Sequence, residues 1–158
     1  MKPESGQPDT GVIVTGGASG IGEATAEALA AVGRPVAIWD LDATSAQQTA
    51  DAIKGKYGSA TDALGIDLRQ TDGIAAGLAQ ARAALGSIGG LVHAAGVSLP
   101  VPLNELSDET WNAVLDINLK ALPFLVQAMR EDLSQHAGSA VVGIASINAT
   151  LGNAANPA

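Results

Sequence analysis

Residues 15 to 24 read TGGASGIGEA, between the β-branched run GVIVT (11 to 15) and a segment of helical period. A strand that turns at once into a helix aims unpaired backbone amides and a positive dipole end at one point. That favours an anion such as a pyrophosphate. Glycines let such a turn close, let a phosphate approach the backbone and let the helix pack tightly on the sheet. The spacing Gly16, Gly20, Gly22 is neither the G-x-G-x-x-G of many dinucleotide folds nor a Walker loop. Gly17 and Gly22 have the Walker separation, but Glu23 and Ala24 stand where Lys and Ser or Thr would hold phosphate and magnesium, so ATP hydrolysis is not expected. A glycine-rich turn with only a structural job is the competing reading.

The rest of the chain alternates short apolar runs with longer helical segments, the pattern of a parallel sheet covered on both faces. Further strands are predicted at VAIWD (36 to 40), ALGID (63 to 67), GLVHA (90 to 94) and SAVVGIAS (139 to 146). The first helix carries Ile21, Ala24, Ala28, Leu29 and Val32 on one side and is ended by Gly33 and Pro35. The next two repeat an i, i+4, i+7, i+11 stripe: Ala46, Ala50, Ile53, Tyr57, then Ile74, Leu78, Ala81, Leu85, with Gly58 and Gly86 in stop positions. A fourth starts at Ser107, an N-cap followed by Asp108 and Glu109, and runs Trp111, Val114, Leu115, Asn118, Leu122. Asn118 is a polar residue inside an apolar stripe. Pro123 cannot donate to the Leu119 carbonyl, which predicts a kink beside it. The expected fold is a doubly wound, three-layer α/β/α domain of Rossmann type over 11 to 158, preceded by a flexible polar tail at 1 to 10.

At 158 residues one domain is expected. Eight basic residues against sixteen acidic give a net charge of -8, which repels phosphate backbones and anionic membranes, so neither nucleic acid nor a membrane is an expected partner. Without cysteine there is no disulfide, thiolate metal site or cysteine nucleophile, and no metal-ligand set is assigned. The opening MKPESGQPDT lacks the apolar core of a signal peptide, and no stretch approaches the roughly 20 apolar residues of a membrane span. A cytoplasmic location is the expectation.

Asp40 closes the second strand about 20 residues after the glycines, where a carboxylate would accept from an adenosine ribose. Leu41 and Asp42 follow it, so no cation stands there to receive a 2′-phosphate. Arg34 precedes the strand and lies away from that end. NAD is expected over NADP.

These residues together resemble the short-chain dehydrogenase/reductase family. TGGASGIG is similar to that family's T-G-x-x-x-G-x-G, and Asp67 in GIDL matches its Asp beside the adenine. HAAG (93 to 96) falls where the family has N-N-A-G, DINLK (116 to 120) matches the segment of its active-site asparagine, and IAS ends on its catalytic serine. The resemblance spans nearly everything after the tail. It implies cofactor contacts from Gly16, Ser19, Gly20, Ile21, Gly22, Asp40, Leu41, Asp67, Leu68, Ala95 and Gly96, and catalytic roles for Ser146 and Asn118. In the family the asparagine's helix is bent and its carbonyl holds a water in a proton relay, which suits Asn118 beside the predicted kink; a structural asparagine satisfied by backbone is the alternative. His93 and Ala94 replace both asparagines of the family pattern, and His93 is read as a packed or strand-bracing residue in preference to a catalytic one.

The resemblance implies hydride transfer between a nicotinamide and a secondary alcohol or ketone, with a tyrosine as acid/base and a lysine four residues later lowering its pKa. That Tyr-x-x-x-Lys pair is expected just after Ala158, together with further strands of the sheet. The only tyrosine present is Tyr57, in the second helix. The expectation is therefore an oxidoreductase whose turnover needs a segment outside these 158 residues, and which forms a homo-oligomer at full length. A non-catalytic NAD-binding or regulatory module is the alternative.

Overall fold

A computed structural model describes residues 9–149 and 151. Five parallel strands, Gly11–Thr15 (β1), Val36–Asp40 (β2), Thr61–Gly65 (β3), Ile88–His93 (β4) and Ala140–Gly143 (β5), form one sheet in the order β3-β2-β1-β4-β5. The helices between them are Gly20–Ala31 (α1), Ala43–Tyr57 (α2), Ile74–Leu85 (α3), Asp108–Leu115 (α4), Ala121–Ala128 (α5) and Arg130–Gln135 (α6). From β1 the chain steps outward through β2 to β3, then returns to lay β4 on the other side of β1. The strand order reverses there, and the crevice at the carboxyl ends of β1 and β4 is where ligands bind in such sheets.

Strand alternation sorts the core into two layers. Val12, Val14, Val36 and Ile38 pack with Ala26 and Ala30 of α1 and Ala46, Ala50 and Ile53 of α2. Ile13, Ala37, Trp39 and Leu91 face the opposite way, against Leu78, Ala81 and Leu85 of α3 and Ala121 and Leu125 of α5. Burial on both faces is why these strands read as continuous apolar runs. Trp39 fits because Gly77 leaves room: a Cβ there would lie 3.0 Å from its ring and 2.6 Å from Leu64.

The stripes of α2 and α3 are the buried faces expected, and their stops are in place, with Gly58 at φ +69 and Gly86 at φ +84. The N-cap Ser107 accepts from the Thr110 N–H at 3.2 Å. α2 has an N-cap missed in the sequence, Asp42, whose carboxylate accepts from Thr44 and Ser45 N–H.

Several expectations need correction. The third strand is Thr61–Gly65, not 63 to 67, because its register against β2 runs Val36↔Thr61 to Asp40↔Gly65, so Asp67 lies in the following loop. The fourth begins at Ile88 and ends at His93, and the fifth is confined to Ala140–Gly143, paired among the described residues with β4 alone. In α1 the face on the sheet is Gly22, Ala26 and Ala30, while Ile21 is 64% exposed. The helix approaches so closely that only small residues fit on that face; of the predicted stripe, Ile21, Ala24 and Ala28 are turned outward while Leu29 packs against the edge of the core. After α4 the helix does not simply kink: Asp116–Lys120 is a π-turn, in which the Ala121 N–H reaches the Asp116 carbonyl. The extra residue rotates Asn118 out of the buried stripe, which runs instead through Val114, Ala121 and Leu125. Among the described residues no helix is long and apolar enough to cross a membrane.

Candidate functional site

The glycine loop builds a cradle. Gly16 sits at φ +64, and a Cβ there would lie 2.7 Å from the Ala95 backbone. At Gly22 a Cβ would lie 2.0 Å from the Gly16 carbonyl oxygen, so helix and loop touch where any side chain would separate them. Gly20, at φ +53, has nothing within 4 Å of its Cβ position, which leaves the approach to the loop open. Ser19 holds the N-cap position of α1 with extended backbone, yet its side chain makes no capping bond. The first amides of α1 have no intrahelical acceptor and supply the positive end of its dipole.

A cleft of about 320 Å³ opens at this point. Gly16, Ser19, Gly20, Ile21, Gly22, Asp40, Leu41, Leu68, Ala95 and Gly96 line it, together with Trp39, Ile66, Ala94, Val97 and Ile117, which were not among the expected cofactor contacts. Each of these five adjoins a recognised motif, so proximity to the motifs was the available signal. Asp40 is fixed from two sides: Oδ2 accepts from the Ala18 N–H at 3.1 Å and Oδ1 from the Asp42 N–H at 3.2 Å. Arg34 is committed elsewhere, donating to the Thr10 carbonyl at 2.8 Å and to Thr10 Oγ1 at 3.0 Å. It cannot neutralise a phosphate beside Asp40.

Asp67 is the exception among the expected cofactor residues, because it does not line the cleft. Its carboxylate is gripped by Arg69, with Nε at 2.9 and 3.0 Å and Nη2 at 2.6 Å. Those hydrogen bonds hold its pKa below the usual carboxylate range. The loop position, two residues past the end of β3, brings Arg69 within reach.

Neither His93 nor Asn118 lines the cleft, but each bonds to a residue that does, Ile117 and Val97 respectively. The His93 ring is 2% exposed, with Nδ1 at 2.8 Å from Thr15 Oγ1 and Nε2 at 3.0 Å from the Ile117 carbonyl oxygen. A carbonyl can only accept, so Nε2 carries the proton and Nδ1 accepts from the threonine hydroxyl. Burial pushes the pKa down, against the opposing effect of the Ile117 bond. Asn118 clasps the backbone of Val97 twice, accepting from its N–H at 2.8 Å and donating to its carbonyl at 2.9 Å. Ser146 lies beyond the carboxyl end of β5; its Oγ accepts from the Asn148 N–H at 3.2 Å, which leaves the hydroxyl proton to donate. Tyr57 is in the α1–α2 groove, donating to Glu27 at 2.9 Å, and does not approach the cleft.

The glycine cradle at the reversal point of a parallel sheet defines a Rossmann-type nucleotide-binding α/β protein. More narrowly, the chain belongs to the short chain dehydrogenase family, whose model matches residues 10–158. It is 36% identical over 139 residues to a D-threitol dehydrogenase of Mycolicibacterium smegmatis, covering 88% of this chain and 53% of that protein. It is 32% identical over 142 residues to an NAD(+)-dependent 2-dehydro-3-deoxy-L-rhamnonate dehydrogenase of a Sphingomonas species, covering 89% and 55%. Among solved structures it is similar to L-sorbose reductase of Gluconobacter frateurii, complexed with NADPH and L-sorbose, with a TM-score of 0.88 at 25% identity over 94% of this chain and 56% of that one. The chain thus spans just over half the length of the relatives it matches.

Proposed function

We infer that this chain forms the cofactor half of an oxidoreductase that moves hydride between NAD and a secondary alcohol or ketone. The observation that carries the reading is the pairing of the cradle at Gly16, Gly20 and Gly22 with the fixed, unneutralised carboxylate of Asp40 at one cleft. The α1 amides suit a pyrophosphate, and Asp40 suits a ribose diol while repelling a 2′-phosphate. Ala95 and Gly96 wall the cleft with backbone, which suits a flat ring. A nicotinamide bound there would supply hydride transfer. Ser146, with its proton free to donate, would orient the substrate oxygen, and Asn118 would set the loop through Val97. The D-threitol and 2-dehydro-3-deoxy-L-rhamnonate dehydrogenases are named for polyol and sugar-acid substrates, which makes polyhydroxylated alcohols the first substrates to try.

Titration of the protein with NADH and with NADPH, followed by energy transfer from Trp39, tests the cofactor reading. NADH should bind at least about tenfold more tightly, a difference of about 1.4 kcal/mol, and Asp40→Ser should narrow the gap. Tighter NADPH binding would overturn it. A second reading is a module that binds NAD without turnover; Tyr57, bonded to Glu27 and away from the cleft, supplies no acid/base there. Oxidation of a threitol and sugar-acid panel with NAD by the full-length protein separates the two. Binding with no turnover of any substrate would favour the module.

A further inference from the structure

The π-turn and His93 answer one another. In an uninterrupted α-helix the Ala121 N–H would bond to the Ile117 carbonyl, but here it goes one residue further back, to Asp116. The Ile117 carbonyl is thereby released from that bond. His93 Nε2, 3.0 Å away, is its donor. The opposite side of the ring is held by Thr15, the last residue of β1, so the imidazole ties the end of the central strand to the opened turn. Ile117 lines the cleft, and its neighbour Asn118 clasps Val97, which also lines it.

We propose that His93 is a positioning residue: as the neutral Nε2–H tautomer, it fills the carbonyl vacated by the π-turn and so fixes Asn118 in its clasp on Val97. The spacing of the donor decides the chemistry. An asparagine at this position would offer its amide about where Nδ1 stands and would fall short of Ile117, whereas a glutamine would reach it. A brace between strands would need only the Thr15 contact. The second contact, to a carbonyl freed one residue from Asn118, is what a brace does not explain. The role concerns geometry, and only one of its measurements rests on the proposed cofactor site.

The test begins with long-range ¹H–¹⁵N spectra of the uniformly labelled protein. With only two histidines in the chain, His93 and His136, the His93→Gln spectrum assigns the ring by difference. His93 should show a protonated Nε2 and an unprotonated Nδ1 at neutral pH; the Nδ1–H tautomer would overturn the proposal. Amide exchange at Val97 and NADH affinity are then compared in His93→Gln and His93→Asn. Glutamine should keep both within about twofold. Asparagine should speed Val97 exchange and weaken NADH by about fivefold, the loss of one ordinary hydrogen bond of about 1 kcal/mol. Equal Val97 protection in the two variants, with melting temperature lowered in both, would mean a structural brace and overturn the proposal. If NADH fails to bind even the unaltered protein, the cofactor reading fails while the tautomer and Val97 exchange still decide this one. Should His93→Asn not fold, the tautomer and the glutamine variant decide it.

Discussion

Gly22 lines the cleft, and His93 stands behind it, bonded to the lining residue Ile117. Gly22 is where the helix meets the loop, with the Gly16 carbonyl oxygen 2.0 Å from the place of a Cβ. Gly22→Ala must push α1 off the loop, so NADH affinity should fall by at least about tenfold, or 1.4 kcal/mol, in a fluorescence titration; unchanged affinity would mean the cradle does not hold the cofactor. Gly20→Ala meets no atom, though its φ of +53 adds backbone strain, so it should be the milder change. His93 gives a pH signature. Its folded pKa lies below the ordinary histidine value of about 6.5, with burial the main cause. As pH falls below that value the unfolded chain binds a proton that the fold refuses, so stability declines toward acid. Urea midpoints from neutral pH down to about 5 should fall more for the unaltered protein than for His93→Gln. Parallel curves would show that His93 carries no such penalty.

The elements differ in how plainly they were written in the chain. α2 was legible because its buried stripe, Ala46-Ala50-Ile53, stands opposite a polar face, and α3 because its large apolar residues, Ile74, Leu78 and Leu85, fall on one side while the other carries alanines, Gln80 and Arg82. α1 was misread because it is apolar on two sides, and hydrophobicity cannot say which of them touches the sheet. Contact distance decides it, and the close approach at Gly22 selects the small face through Ala26 and Ala30. A pair of substitutions makes this measurable. Ala26→Leu should overpack that contact and cost about 1–3 kcal/mol, whereas Ala28→Leu, on the exposed side, should stay within about 0.5 kcal/mol. The reverse order in urea denaturation would restore the original stripe. The disruption near Asn118 was legible through Pro123, but its form was not: a π-turn leaves no composition signal, and it is set by what accepts and donates around it. Ten of the expected contact residues line the cleft; the glycines and Asp40 were readable from the strand-loop-helix order, and the others came with the family resemblance. Asp67 was misplaced because strand register is a tertiary property, fixed here by pairing with β2.

At the scale of the whole molecule, the sheet's order and the chain's charge pull in opposite directions. β5 pairs with β4 alone, and no described strand lies against its other edge. Val141 and Val142 are 41% and 47% exposed, pointing to opposite faces, and Ile144 beyond them is 42% exposed. An unpaired edge flanked by apolar side chains invites pairing with another chain. A net charge of -8 opposes that by mutual repulsion, which salt screens. Residues 1–158 should therefore self-associate as ionic strength rises, in sedimentation or light scattering. Val142→Lys separates the two effects, since it blunts the edge while moving the net charge toward zero. If repulsion governs, the variant should associate more; if the edge governs, it should associate less, and that is the expected result. NADH affinity should not change, because Val142 is not among the residues lining the cleft. Greater association of Val142→Lys than of the unaltered protein would remove the β5 edge as the cause.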